Sequence, residues 1–203
     1  SDGIESTWMN EIHTKNRNVI KKGEKSGLEF IVDEDFAYLT EFEDLYNSTM
    51  DKLEADGFYY FDPSYYNQLK NTIQNRFLGI VKHEGQVVAG AIFFYQLPYG
   101  HYHLAGSDKL ALKLSPNNYL LWEAAKELTR RGVKHFHLGG GTDGSEENSL
   151  YQYKRKFSKH EYQFALGKMI FNPSLYDVIC AEWAAANPEK AVKMKNILLK
   201  YKY

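Results

Sequence analysis

The sequence has little of several features that mark particular protein classes. Its 203 residues include one cysteine, Cys180, and five prolines, and the chain has no long uninterrupted apolar stretch. A single cysteine excludes an internal disulfide and a cysteine-rich zinc site, and it favours a reducing compartment, so we expect a cytoplasmic protein. The lack of a long apolar run predicts no membrane-spanning helix. The remaining composition, 43% apolar and 25% charged, is typical of a globular chain with one buried core.

The charge of the chain is nearly balanced but unevenly distributed. The formal net charge is −1, yet residues 29–62 hold eleven acidic side chains and one basic, whereas residues 154–203 hold ten basic and four acidic. Such asymmetry can place a positive surface beside a negative one, although a pair of solvated helix faces gives the same counts. The chain also has 16 Tyr, 12 Phe and 3 Trp, an excess that favours a cleft lined with rings or a core with polar ends.

Hydrophobic periodicity and proline positions predict the order of the elements. Four prolines follow a residue that can cap a helix, at Asp62-Pro63, Ser115-Pro116, Asn172-Pro173 and Asn187-Pro188. The predicted helices are Thr14–Lys25, Asp35–Ala55, Pro63–Gln74, Pro116–Arg131, Ser145–Phe157 and two more from residue 172. The predicted strands are Leu28–Val32, Phe77–Lys82, Gln86–Tyr95, His101–Gly106, Val133–Leu138 and a long strand, Glu161–Phe171. This order predicts a mixed α/β fold in which an antiparallel meander leads into a crossover, with a parallel strand pair at the sheet centre.

The densest group of candidate site residues follows the predicted strand Val133–Leu138. Gly139, Gly141 and Gly144 have the G-x-G-x-x-G spacing, but they follow the fifth strand, and no Lys-Ser or Lys-Thr pair follows them. A dinucleotide site or a P-loop is therefore disfavoured. Glycines here let the chain turn sharply, and they leave room for a ligand beside backbone amides at a strand end.

Two His-x-His pairs could serve as metal ligands. His101 with His103, and His135 with His137, each place two imidazoles on one face of a strand. Four imidazoles would converge if the strands were neighbours, but neither segment has an acidic residue close by, and we predict no metal site.

The predicted helix after the glycines carries three consecutive cations, Lys154, Arg155 and Lys156. They lie about 100° apart around a helix, so that one or two can face a cleft. A lysine there can stabilise an oxyanion or a phosphate, and a basic face with rings suits nucleic acid; the alternative is a basic surface helix. No Gly-x-Ser-x-Gly motif occurs and Cys180 lies in an apolar stretch, so a covalent acyl-enzyme has no support.

Several segments resemble the GNAT N-acyltransferase fold and, in finer detail, the second domain of the Fem-type peptidoglycan aminoacyltransferases. The resemblance extends from about Thr14 to Phe171 and is most specific in its last two segments. The segments that carry it are 15–23, 58–61, 88–91, 102–107, 117–124, Phe136-His137-Leu138-Gly139-Gly140-Gly141 and Ser149-Leu150-Tyr151-Gln152-Tyr153-Lys154-Arg155-Lys156-Phe157.

This resemblance implies an activity and a domain organisation. Fem-type enzymes usually carry two such domains and move an aminoacyl group from a charged tRNA to an amine of a peptidoglycan precursor. We therefore expect residues 14–203 to form one GNAT-like acyltransferase domain, with its last two helices from residue 172. Residues 1–13 would be the edge of the chain or a lead-in from an upstream GNAT-like domain that is missing here. The alternatives are a non-catalytic binding half of a two-domain enzyme and an atypical acetyl-CoA-dependent acetyltransferase.

The resemblance also implies the site. In the family a Phe-Lys pair lies at the reaction centre, where the lysine stabilises the transition state; it matches Tyr153-Lys154, with Tyr in place of Phe. Lys154 is thus the expected catalytic residue. The expected substrate-binding residues are Tyr153, Gly139, Gly140, Gly141, Ser107, Asn118 and Arg155. They would surround the gap where two parallel strands splay apart and the acyl donor enters. Candidates for a general base, by proximity alone, are Asp108, Asp143 and Glu147.

The acyl donor is expected to be a substrate, with no cofactor tightly bound. Acetyl-CoA enzymes of the fold carry a Gln/Arg-x-x-Gly-x-Gly/Ala loop that holds the pyrophosphate, whereas residues 113–118 of this chain, Lys-Leu-Ser-Pro-Asn-Asn, contain no glycine. This departure favours aminoacyl-tRNA over acetyl-CoA, and the acceptor is an amine, as on a cell-wall precursor.

Overall fold

A computed structural model describes residues 3–108 and 110–202. The chain divides into two compact units, of which one ends at His160 and the other begins at Glu161. Within the described ranges, every helix is too short or too polar to cross a lipid bilayer.

The first unit is built on a five-stranded mixed sheet. Its strands are β1 (Leu28–Asp33), β2 (Arg76–His83), β3 (Gln86–Gln96), β4 (Tyr99–Ser107) and β5 (His135–His137). They lie in sequence order; β1 to β4 pair antiparallel, and β4 and β5 pair parallel. The predicted mixed α/β fold with an antiparallel meander is confirmed.

The helices of the described residues are α1 (Gly3–Ser6), α2 (Thr14–Lys25), α3 (Leu39–Lys52), α4 (Pro63–Thr72), α5 (Pro116–Arg130), α6 (Ser149–Lys154), α7 (Pro173–Ala186) and α8 (Pro188–Lys193). Two of the four predicted caps are confirmed, since the side chains of Asp62 and Asn172 accept hydrogen bonds from backbone N–H groups of α4 and α7. All four predicted helix starts are confirmed, because α4, α5, α7 and α8 begin at these prolines, but the side chains of Ser115 and Asn187 at the N-cap positions of α5 and α8 accept no such bond.

Both faces of the sheet are covered by helices, which explains why the central strands are apolar almost throughout. Phe77 and Val81 of β2 pack in one cluster with residues of α2 and α5, while Leu78 and Ile80 pack on the opposite side with residues of α3 and α4. Because successive side chains of a strand point to opposite faces, a strand buried on both sides loses the alternation of polar and apolar residues.

The parallel strands β4 and β5 pair over a short distance. Their pairing covers three positions, from Tyr99 with His135 to His101 with His137, and β4 then continues to Ser107. The pairing ends where β5 ends, so that among the described residues the rest of β4 has no strand beside it on this edge. The pair does not lie at the sheet centre as predicted, because β5 is the edge strand of the described sheet.

The second unit contains α7, α8 and a short 3₁₀-helix, Lys200–Lys202. The predicted long strand Glu161–Phe171 is wrong, since these residues form neither strand nor helix. The alternation of apolar residues is a local signal, whereas a strand also needs a neighbour for its backbone hydrogen bonds, and this unit holds no other strand in its described residues. The exposed fractions of Tyr162, Phe164 and Phe171 are 88%, 83% and 92%.

The residues before α2 pack on the first unit, although the sequence assigned them no place in a core. Ile12 is buried, and the Trp8 ring lies 4.6 Å from the Trp122 ring of α5. The Arg17 guanidinium donates to the carbonyl groups of Trp8, Met9 and Ile12 at 2.8 to 3.1 Å, which fixes this segment against α2.

Candidate active site

In the loop between β5 and α6, Gly139 lies close to the side chain of Lys154 in α6, and Gly141 lies close to the side chain of Asn148, the N-cap residue of α6. Gly139 has a φ of 75°, a left-handed conformation that glycine adopts without steric cost, and a Cβ there would lie 3.2 Å from Lys154 Nζ. A Cβ on Gly141 would overlap the Asn148 side chain. Larger residues at either position would push the loop away from α6.

Asn148 anchors this loop to the first turn of α6. Its Oδ1 accepts hydrogen bonds from the backbone N–H groups of Leu150 and Tyr151, each at 3.1 Å, and its Nδ2 donates to Thr142 Oγ1 at 2.7 Å. An asparagine in this role caps the helix, so α6 begins at Ser149 rather than at the predicted Ser145.

Lys154 is the last residue of α6, and its side chain contacts the glycine loop. Its ammonium donates a hydrogen bond of 2.9 Å to the carbonyl of Gly140 and lies 5.7 Å from the centre of the Tyr102 ring. Burial lowers the pKa of Lys154 from its ordinary value. A partly desolvated donor held beside a flexible backbone carbonyl can transfer its hydrogen bond to an incoming oxyanion.

Tyr153 turns its phenol toward the interior next to this lysine. The ring packs edge-on against Phe157, with centroids 5.6 Å apart, and its Oη is buried without a hydrogen-bond partner among the described residues. Burial raises the pKa of Tyr153 well above the usual value, and so does the nearby Tyr102. The phenol is therefore neutral at pH 7 and keeps an unused donor near the loop.

His101 of β4 and His137 of β5, one histidine of each His-x-His pair, meet across the two strands. His101 Nδ1 and His137 Nδ1 are 3.1 Å apart, and the two rings stack with centroids at 5.3 Å. The pKa of His101 is lowered by burial first, then by His137 and Lys154. His137 is the last residue of β5 and precedes by three residues Gly140, whose carbonyl accepts the hydrogen bond from Lys154.

The other two histidines have different surroundings. His103 Nε2 shares a hydrogen bond of 2.6 Å with Tyr65 Oη of α4, and burial, with a contribution from His101, lowers the pKa of His103 to about 4. His135 stacks on Tyr99, with ring centroids 5.4 Å apart.

Across residues 3–108 and 110–202, no three His, Cys, Asp or Glu side chains are arranged as a metal site.

An open cleft of about 700 Å³ lies against the histidine pair. It is bounded by the end of α4, the following turn, the end of β3 and the starts of β4 and β5. Its lining residues are Thr72, Ile73, Gln74, Asn75, Phe94, Tyr95, Gln96, Tyr99, Gly100, His101 and His137.

The sequence matches the acetyltransferase (GNAT) domain family over residues 12–155, which is well over half of the chain. The chain belongs to this family. The match ends at Arg155, so that the glycine loop, Tyr153 and Lys154 all lie within the GNAT domain.

Solved structures with the same fold share little sequence with this GNAT domain. FemX superposes with a TM-score of 0.65 at 13% identity, over 76% of this chain and 56% of that one. The C-terminal domain (DUF2156) of a putative lysylphosphatidylglycerol synthetase from Agrobacterium fabrum superposes at 0.51 and 17% identity, over 63% and 41% of the two chains. The aminoglycoside acetyltransferase HMB0005 from an uncultured soil metagenomic sample gives 0.52 and 12%, over 71% and 99%.

These identities establish the fold alone. The chain spans about half the length of the first two structures. No curated protein matches the sequence.

Two predicted substrate-binding residues of the GNAT domain are Ser107, at the end of β4, and Asn118, in the first turn of α5. Ser107 is buried; its Oγ accepts a hydrogen bond of 3.0 Å from Asn117, and its N–H donates to Thr49 Oγ1 at 3.1 Å. Asn118 donates to the buried Asn16 at 2.6 Å. None of their hydrogen bonds within the described residues reaches Lys154 or the glycine loop, so these two residues join elements of the fold.

Arg155 and Asp143 are two further predicted residues of the GNAT domain. Arg155 is exposed, with its guanidinium 6.0 Å from the Tyr151 ring. Of the candidate bases, Asp143 accepts hydrogen bonds from Ser145 N–H and Asn148 Nδ2 at 2.8 and 3.1 Å, which gives it a part in shaping the loop. The structure thus brings together Lys154, Tyr153 and the three glycines.

The histidine pair is the feature of this site whose role sequence reasoning missed. The His-x-His spacing drew attention to these residues as metal ligands, but not to a pairing between His101 and His137. The predicted parallel pairing of these two strands already placed the histidines on neighbouring strands. The register of that pairing decides that His101 lies beside His137.

Proposed function

We propose that this GNAT domain transfers an aminoacyl group from a charged tRNA to an amine, as on a peptidoglycan precursor, and that Lys154 stabilises the tetrahedral oxyanion. The observation that carries the proposal is the 2.9 Å hydrogen bond from Lys154 Nζ to the Gly140 carbonyl, three residues after the point where the pairing of β4 and β5 ends. The gap between these strands is the entry for the acyl donor that the resemblance to Fem-type enzymes implies.

The reaction requires few functional groups of the protein. Transfer of an acyl group to an amine needs orientation of two substrates, a donor for the developing oxyanion and an acceptor for a proton. The Lys154 ammonium binds a full negative charge more strongly than it binds the Gly140 carbonyl, so its contribution is larger in the transition state than in the ground state. Its partial burial strengthens that difference, because a lower local dielectric weakens screening.

The start of α5 supports a donor other than acetyl-CoA. Pro116 supplies no N–H group, and the N–H of Asn118 donates to the Ser115 carbonyl at 3.0 Å. The first turn therefore presents fewer free amides to a pyrophosphate than an uninterrupted helix start would. An upstream GNAT-like domain is the proposed partner, with cytoplasmic tRNA as the source of the acyl group.

Substitution of Lys154 tests this proposal. The full chain is assayed for transfer from radiolabelled aminoacyl-tRNA, and separately from acetyl-CoA, to a muropeptide. Loss of an oxyanion donor lowers kcat by roughly 10² to 10³, so Lys154→Met should show that loss with an unchanged circular dichroism spectrum. Lys25→Met, a change of the same type at an exposed position outside the basic segment 154–203, should stay within about twofold of the parent, as is usual for surface substitutions.

Three results would contradict the proposal. Near-normal turnover of Lys154→Met would remove the lysine from the reaction. Transfer from acetyl-CoA alone would show that the donor is not tRNA. Tight binding of charged tRNA without transfer from either donor would identify the chain as the binding half of a two-domain enzyme.

A further inference from the structure

We propose that the open cleft beside His101 and His137 is the acceptor site, that it takes an amine carried on a short peptide, and that the histidine pair accepts the proton which this amine loses. The proposal rests on the acyl transfer proposed above, to which it adds the place where the acceptor binds and the base.

The lining of the cleft matches the chemistry of a peptide. Gln74, Asn75 and Gln96 supply side-chain amides, which both donate and accept hydrogen bonds as peptide groups do, and Tyr99 offers an exposed ring at the edge. None of the residues that line the cleft carries a carboxylate or an ammonium group. A polycationic acceptor such as an aminoglycoside would require acidic groups, so a peptide with a single amine fits better.

The contact between the two imidazoles creates a base. Two Nδ1 atoms at 3.1 Å can share only one hydrogen, so that one ring donates it and keeps an unprotonated Nε2. That Nε2 can take a proton from an ammonium group, and the resulting imidazolium still donates its Nδ1 hydrogen to the neutral partner. The near-parallel rings, 17° apart, belong to strands of the rigid sheet, which keeps the pair in place.

The pair connects the cleft to the strand that leads into the glycine loop. Both histidines line the cleft, and His137 ends β5 three residues before Gly140, whose carbonyl accepts the hydrogen bond from Lys154. A peptide amine in the cleft therefore lies beside the base, and the base lies beside the start of the loop that Lys154 contacts.

The charged and titratable groups around His101 favour its neutral form. They are His137 on β5, His103 on β4 and Lys154 on α6, and His103 is in turn bonded to Tyr65 from α4. None of them is an acid that would hold a proton on the imidazole at pH 7, so the pair is ready to accept one.

The proposed step balances as follows. The ammonium gives one proton to the pair, and the free amine attacks the acyl carbonyl carbon, which forms a C–N bond and an oxyanion at Lys154. Collapse of the oxyanion breaks the C–O bond to the ribose of the donor. The second proton lost by nitrogen goes to the leaving oxygen, and the pair releases its proton to water.

Binding is measured first, because it needs no turnover. The peptide acetyl-Ala-Lys-Ala-amide is titrated into the full chain by NMR, with Tyr99→Ala as the cleft variant and His160→Gln, at an exposed position, as the control. The proposal predicts at least fivefold weaker binding to Tyr99→Ala and an unchanged affinity for His160→Gln. Equal affinity for all three proteins, or tighter binding of kanamycin than of the peptide, would overturn the acceptor site.

The base is tested by the pH dependence of kcat/KM. The parent protein should lose activity as pH falls through the lowered pKa of His101, because the protonated pair no longer accepts a proton. His101→Gln should lower kcat/KM by about 10² to 10⁴ and abolish this acidic limb, and His137→Gln offers a second variant should the first not fold. An unchanged acidic limb in both variants would overturn the role of the pair.

Failure of this inference can be told apart from failure of the proposed function. Lys154→Met should bind the peptide like the parent while losing transfer. Peptide binding without transfer from any donor would refute the proposed function and leave the cleft as a peptide site. Transfer that proceeds equally well in Tyr99→Ala would refute the cleft and leave the function standing.

Discussion

The histidines of the first unit show how neighbours, rather than residue type, decide what a side chain does. His101 pairs with another imidazole, His103 with a phenol, and His135 with an exposed aromatic ring. Burial first, and then His101, lower the pKa of His103 to about 4. Its protonation therefore costs folding free energy, which makes the stability of the protein depend on pH.

We predict that the free energy of unfolding decreases as pH falls from about 6.5, the ordinary pKa of histidine, toward about 4. In this range the unfolded chain binds the proton and the folded chain does not, so acid favours unfolding, whereas above pH 6.5 the contribution is fully present. His103→Gln should be less stable at pH 7, by about 1 kcal/mol for the lost hydrogen bond, but should show a smaller slope between pH 4 and 6.5. Urea titrations at several pH values would measure this, and an identical slope in parent and variant would contradict it.

In the first unit, strand β4 and helix α3 approach each other closely at a glycine. At Gly106 of β4, a Cβ would overlap the backbone of Leu45 and Tyr46 in α3. The contact cannot relax by rotation of a side chain, because the neighbouring atoms belong to a helix backbone. Glycine at this position therefore sets the distance between α3 and the sheet.

Gly106→Ala should destabilise the protein by about 1–3 kcal/mol, the usual cost of overpacking in a core. Gly57→Ala serves as the matched control, because a Cβ at Gly57 has open space around it and should leave stability unchanged or slightly increased. Urea unfolding followed by circular dichroism measures both changes, and equal midpoints for Gly106→Ala and the parent would show that α3 can shift without cost.

At the scale of the whole molecule, the uneven charge is the property that bears on the donor. The ten basic residues among positions 154–203 contrast with the eleven acidic residues among positions 29–62. A tRNA that contacts basic side chains releases condensed counterions, which makes its affinity fall with salt. A peptide in an uncharged cleft releases none.

We predict that binding of charged tRNA to the full chain weakens about 20- to 40-fold between 50 and 200 mM NaCl, if three or so phosphates are contacted. Binding of the acetyl-Ala-Lys-Ala-amide peptide, measured over the same range, should change by less than about twofold. Fluorescence anisotropy and NMR titrations provide the two affinities. A tRNA affinity that does not respond to salt would argue against a tRNA donor.

Much of the fold was predictable because its signals are local. The helix Thr14–Lys25 has the predicted bounds, and the predicted strands Phe77–Lys82 and Gln86–Tyr95 lie within β2 and β3. The glycine loop and the Tyr153-Lys154 pair were also located from sequence alone, since a contiguous motif carries its own spacing.

What the tertiary structure decided depends on contacts between distant residues. The apolar alternation of Glu161–Phe171 predicted a strand, but a strand exists only beside a partner, and the second unit provides none in its described residues. Ser107 was expected at the mouth of the site and is instead bonded to Asn117 and Thr49. The pairing of His101 with His137 needed the register of two strands whose residues are 36 positions apart. Sequence by itself determined which residues could react; the sheet decided which of them meet, because register and packing are properties of pairs of elements.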